Sequence, residues 1–253
     1  MRHSAIILAA VSFVLICGCA GNPQKEELKT KNIEFSEVTP LQEGAPYDFT
    51  MEMNIEWPEG GANDKALKEM QKGITELLFG SELETIDIEY AMKAHNNRSV
   101  DFYRQDNEEY LEDIEEEWAF MMDWSESIDG SFLDPYKGMV SYLKYAYGYS
   151  GGAHGMDVLT CRTFDMKTGE QIFEEDLFKR GYEDRLTEAL RANLLSSYED
   201  HDMFFETDIT PSGEFYLTSE GITYIYQRYE IGPYAIGIVE VLVPWKEIQD
   251  IIR

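Results

Sequence analysis

Ten consecutive residues, Asp48 to Trp57, alternate without a break. Phe49, Met51, Met53, Ile55 and Trp57 fall on one side, and Asp48, Thr50, Glu52, Asn54 and Glu56 on the other. Successive side chains of a strand point to opposite faces, so this run predicts a strand with one buried and one wet face. A one-residue slip would turn every apolar side chain outward, which pins the register of whatever pairs with it. Pro58, Gly60 and Gly61 end the run. Asn63 is then placed to cap a helix whose stripe is Leu67, Met70, Ile74, Leu77 and Leu78.

The rest of the chain mixes both periods. A second helix is predicted near Val100 to Trp124, with Tyr103, Tyr110, Leu111, Ile114, Trp118 and Met121 on its buried side. The acids Glu108-Glu109 and Glu112-Asp113-Ile114-Glu115-Glu116-Glu117 read as a solvated helix face. Strands are predicted at Met139–Gly148 and Met156–Phe164, with Lys167-Thr168-Gly169 as a hairpin turn returning through Gln171-Ile172. A third helix is predicted over Tyr182–Ser197, and late strands near Glu214–Leu217, Ile222–Gln227 and Ala235–Val243. Helices and strands intersperse without regular βαβ alternation. The expected class is α+β, with mainly antiparallel sheets, about three helices and two subdomains.

The first segment is expected to leave the fold. Arg2 and His3 precede an apolar run, Ala5 to Ile16. About a dozen residues are too few to span a bilayer as a helix. The run ends in Ile16-Cys17-Gly18-Cys19, which resembles the lipobox of bacterial lipoproteins. That resemblance implies a signal peptide over 1–18, cleavage after Gly18 and lipidation of Cys19. A diacylated cysteine anchors stably, since each buried CH₂ contributes ~0.8 kcal/mol. Residues 19–40 then read as a tether, 41–138 as an N-terminal subdomain and 139–253 as a C-terminal one. Gln24-Lys25-Glu26-Glu27 is similar to acid-rich signals that send some Bacteroidetes-type lipoproteins to the cell surface. The expected location is extracytoplasmic: the outer membrane or the cell surface.

Charge narrows the partners. The chain carries 49 Asp and Glu against 21 Lys and Arg, a net −28. Such a surface repels nucleic acid and anionic headgroups and attracts cationic partners. Cysteine adds little, since only Cys161 of the three would remain beside the lipidated Cys19. A lone cysteine in a strand reads as a small core hydrophobe.

Between two predicted strands lies Tyr149-Ser150-Gly151-Gly152-Ala153-His154-Gly155. Ser150, His154 and Asp157 supply the residue types of a triad, but their spacing does not supply its geometry. His95 and His201 lie in unrelated segments, so neither a metal nor a cofactor is expected. The glycines are expected to form a corner at positive φ, with Tyr149 and His154 at the rim of a binding face. Pro233 after Gly232 fixes a second corner, flanked by Tyr229 and Tyr234.

Three motifs in order carry a family resemblance: Tyr149–Gly155; Phe215-Tyr216-Leu217-Thr218 with Gly221-Ile222; and Tyr229-Glu230-Ile231-Gly232-Pro233-Tyr234-Ala235 leading to Val243-Pro244-Trp245. Together they resemble the RsiV-like C-terminal domain family. Members include the ectodomains of RsiV-type anti-sigma factors, which bind lysozyme, and the non-catalytic part of PdaC-type peptidoglycan deacetylases. No anti-sigma segment or deacetylase domain is recognisable here. The resemblance therefore implies a non-catalytic envelope domain that binds a basic lysozyme-like protein or a cell-wall glycan. A glycan- or ester-acting hydrolase and an envelope scaffold are the alternatives.

Overall fold

The computed structural model describes residues 28–83, 85–110, 116–198 and 200–253. Cys19, the expected signal segment, Leu111 and Ile114 lie outside the described residues. The architecture is α+β, with two sheets that are mostly antiparallel.

The first sheet has five strands in sequence order: β1 (Lys29–Pro40), β2 (Asp48–Gly60), β3 (Trp124–Phe132), β4 (Met139–Tyr149) and β5 (Met156–Asp165). The pair β2–β3 is parallel and the other pairs are antiparallel. The crossover that a parallel pair needs is supplied by α1 (Asp64–Phe79) and α2 (Ile88–Asn107). Both helices cover the face onto which β2 points its apolar row. Met51 and Ile55 are fully buried there, with Met70, Ile74 and Leu78 of α1 and Met92 and Tyr103 of α2. Asn63 caps α1 as expected, its Oδ1 accepting from the Ala66 amide at 3.0 Å.

Three expectations are corrected. The tether does not run to residue 40, because β1 pairs with β2 along its whole length. The second helix lies earlier, over Ile88–Asn107; Trp124 opens β3, and Tyr110 is exposed. A boundary at 138 would cut the first sheet between β3 and β4, which are hydrogen-bonded neighbours.

The second core is built by α3 (Glu174–Leu177), α4 (Glu183–Ser197) and a three-stranded antiparallel sheet. Its strands are β6 (Phe215–Leu217), β7 (Gly221–Tyr226) and β8 (Val239–Pro244), and every residue of β7 is buried. This sheet packs through β6 against β4 and β5. The Leu217 amide donates to Ser141 Oγ at 2.9 Å, and Ser141 Oγ lies 2.8 Å from Thr163 Oγ1.

The outer edge of β5 is closed by two side chains and, at its end, by the backbone of the returning turn at Gln171 and Ile172. The Gln227 amide donates to Leu159 O at 2.7 Å and accepts from Leu159 N at 3.2 Å. Glu214 Oε2 accepts from Cys161 N at 3.0 Å, and the Ile172 amide donates to Thr163 O at 2.8 Å.

Candidate functional site: the glycine corner and its two surfaces

The run Tyr149–Gly155 is the corner between β4 and β5. Gly151 and Gly152 take φ of +83° and +88°, the left-handed region expected of them. A side chain on Gly151 would sit 3.0 Å from the Met121 carbonyl, whereas Gly152 faces open space. Tyr149 is tied back over the corner, its hydroxyl donating to Gly152 O at 3.0 Å.

Three of the four predicted binding residues meet. His154 stacks on Tyr234, with ring centroids 4.0 Å apart and planes 27° from parallel. Tyr229 lies 5.9 Å from Tyr234, and it too holds a positive φ, +65°. Tyr149 stands apart on the β4 side. Gly232 is buried where any side chain would run into Ile236, and Pro233 leads into the turn Tyr234–Ile236.

Asp157 and Arg228 organise this cluster, and sequence reasoning did not pair them. Arg228 donates to both Asp157 oxygens, to Oδ2 at 3.0 Å and also from Nε to Oδ1. It also donates to the Tyr234 carbonyl at 2.6 Å and lies over the Tyr234 ring, 4.3 Å from its centroid. The Arg228 hydrogen bonds hold the Asp157 carboxyl below the usual carboxylate range, against the opposing effect of burial. Tyr145 donates to Asp157 Oδ2 at 3.2 Å, and Tyr234 to Gly155 O at 2.9 Å. Asp157 is thus committed to Arg228, while His154 Nδ1 faces Gly155 O at 3.0 Å. Ser150, His154 and Asp157 do not form the relay that a triad requires.

On the helix-covered face, beside the corner, opens a groove of about 610 Å³. Ala146 and Gly148 of β4 form its low floor, with Phe102 and Trp124 on one side and Met156 and Val158 on the other. Its polar end holds Glu126, which lies 2.7 Å from His95 Nε2 and accepts from Ser99 Oγ at 2.9 Å. Burial pulls the Glu126 carboxyl up, but the bonds from His95 and Ser99, with Lys144 nearby, outweigh it and hold it low. Burial lowers the Lys144 ammonium, whose Nζ donates to Leu78 O at 2.8 Å. Ser99 and His95 each bond to Glu126 and not to one another, so the group is not a Ser–His pair; Glu126 is the acceptor for both. Only the His95/Ser99 spacing of one helical turn hinted at this group in the sequence. Glu126 joins it through β3, which sequence reading did not foresee.

Cys161 is buried, as a small core hydrophobe would be, and burial pushes its thiol up. Among the described residues, no group of three or more His, Cys, Asp or Glu is placed to hold a metal ion. No helix among them is long and apolar enough to cross a membrane.

No curated protein matches the chain. Two solved structures share its fold. A DUF3298-family protein from Bacteroides fragilis superposes with a TM-score of 0.80 at 24% identity, over 90% of this chain and 95% of that one. A DUF3298-family protein from Pseudomonas aeruginosa gives 0.64 at 18% identity, over 90% and 96%. Within this chain, residues 175–246, from α3 through β8, match DUF3298, a family described as of unknown function.

Proposed function

We propose that this chain is a lipid-anchored, non-catalytic binding protein of the bacterial cell envelope whose partner is a basic protein of the lysozyme type. The carrying observation is the net charge of −28 on a chain whose corner gathers His154, Tyr229 and Tyr234 into a partly exposed aromatic cluster. Long-range attraction to a cationic protein raises its on-rate, and aromatic side chains supply contact area once it docks. The resemblance of the three motifs to the RsiV-like family supports the same reading. The hydrolase alternative loses support because Asp157 and His154 are engaged with Arg228, Tyr234 and Gly155.

The test is a titration of the full chain in detergent against a lysozyme and against an unrelated protein of equal positive charge. At low salt both should bind. At physiological salt, where the Debye length is about 8 Å, only the lysozyme should remain bound. Equal binding to both, vanishing together as salt rises, would leave non-specific attraction alone and refute the proposal.

Anchoring is tested separately. Cys19→Ser should abolish labelling by a fatty-acid analogue in cells and release the protein from the membrane fraction. Unchanged labelling would remove the lipoprotein reading and with it the placement at the outer membrane or cell surface.

A further inference from the structure

The face of the first sheet opposite the helices has an unusual composition. Cross-strand register places Glu52 and Asn54 of β2 beside Ser127 and Asp129 of β3, and these beside Tyr147 and Tyr145 of β4. Ser125 and Tyr149 extend the same rows toward the corner. The outward side chains of β3 are therefore small or short, between a tyrosine row and a carboxylate–amide row. The result is a shallow trough along β3. From Ser125 to Ser131 it runs about 20 Å, at ~3.3 Å per residue.

The tyrosines are fixed rather than free. Tyr145 and Tyr149 are tied by their hydroxyls to Asp157 and Gly152, toward the β5 side. Tyr147 leans the same way, and only a glycine at 155 leaves room for its hydroxyl. Tyr145 and Tyr147 still expose 40% and 37% of their surface. Glu52 and Asp129 are exposed and take part in none of the ion pairs among the described residues. From Asn32 to Pro40 of β1 and from Asp48 to Glu56 of β2, and across β3 and β4, the outward positions include Glu34, Glu52, Glu56 and Asp129 and no lysine or arginine. Lys29 and Lys31 stand at the far end, where Lys31 pairs with Glu59.

We infer that this trough binds a linear polysaccharide that carries free amino groups. Pre-oriented ring faces suit the C–H faces of sugar rings, as aromatic side chains suit other ligands with one apolar and one polar aspect. Carboxylates beside serines and an asparagine accept from sugar hydroxyls, and their bonds to ammonium groups are charge-assisted. The uncompensated negative charge selects an amino-bearing chain over a neutral or acidic one. The trough adjoins the aromatic cluster proposed for the protein partner, through Tyr145 at Asp157 and Tyr147 at Gly155. Glu52 and Asp129 lie two or more strands away from Asp157 and the probes differ, so either reading can fail without the other.

The experiment is calorimetric titration of the full chain in detergent with three probes: a glucosamine hexamer, its fully N-acetylated form, and hexalysine. The glucosamine hexamer should bind at least tenfold more tightly than either of the others. Asp129→Asn and Glu52→Gln should each weaken it severalfold, and Tyr147→Ala at least tenfold. Tyr147→Phe should retain binding, which separates stacking from damage to the fold. Equal affinity for hexalysine or for the N-acetylated hexamer would overturn the inference. So would failure of the glucosamine hexamer to bind, or indifference of its binding to the Asp129 and Glu52 substitutions.

Discussion

Gly169→Val should lower the melting temperature by roughly 10 °C. Gly169 closes the turn after β5 at a φ of +78°, and a side chain there would collide with the Ala66 carbonyl in the first turn of α1. The turn cannot give way easily. Asp165 Oδ1 accepts from the Lys167 and Thr168 amides at 2.7 and 2.9 Å, and Asn63 Nδ2 donates to Lys167 O at 2.9 Å. Asn63 also caps α1, so displacing the turn uncaps the helix. Left-handed strain costs about 1–3 kcal/mol and forced overpacking about 1–3 kcal/mol. Their sum is about 4 kcal/mol, and each kcal/mol shifts a domain of this size by about 2–4 °C. Gly152→Ala is the matched control. It has the same sign of φ but open space, so it should cost only about 1 kcal/mol. A Gly169→Val protein melting within a degree or two of the parent would refute this account.

Arg228→Met should be the most damaging single change at the glycine corner, costing about 3 kcal/mol. Asp157 and Arg228 side chains are 11% and 19% exposed, so removing the guanidinium strands a largely buried carboxylate. The Tyr234 carbonyl loses its donor at the same time. Because Arg228 holds the Asp157 carboxyl below its unfolded value, the pair contributes fully above about pH 4. That contribution is lost as pH falls through the folded value. Melting curves of the parent and of Asp157→Asn, taken from pH 7 downward, should therefore converge in acid. A gap between them that stays constant below pH 4 would show that the ion pair is not the source of the difference.

What the sequence revealed depended on how one-sided each element is. β2 is buried on one face and wet on the other, and its alternation reads directly. α4 and the strands on either side of the glycine corner were legible for the same reason. α2 was not, because Asn96 and Asn107 occupy buried positions on its core face and interrupt the apolar spacing. β1 is an edge strand in which only Ile33, Phe35 and Thr39 are even half-buried, so composition alone made it look like linker. At the site, the glycines announced their own conformation. The pairing of Asp157 with Arg228, 71 positions apart, has no local signature. Nor does the convergence of His95, Ser99 and Glu126, which depends on a parallel strand joining through a helical crossover.

The way β5 ends sets how this protein behaves in a crowd. A strand edge is a template, and any chain that offers a row of amides can extend it. Here the primary amide of Gln227 presents one N–H and one C=O to Leu159, in the manner of a peptide unit. At Leu159 the sheet has in effect been given a false neighbour made from one side chain. At this edge, pairing with copies of itself and with unfolded chains is opposed by that amide, by Glu214 at Cys161 and by the Ile172 N–H at Thr163. A substitution at Gln227 would open this edge at Leu159, where among the described residues no other group stands in for a neighbouring strand.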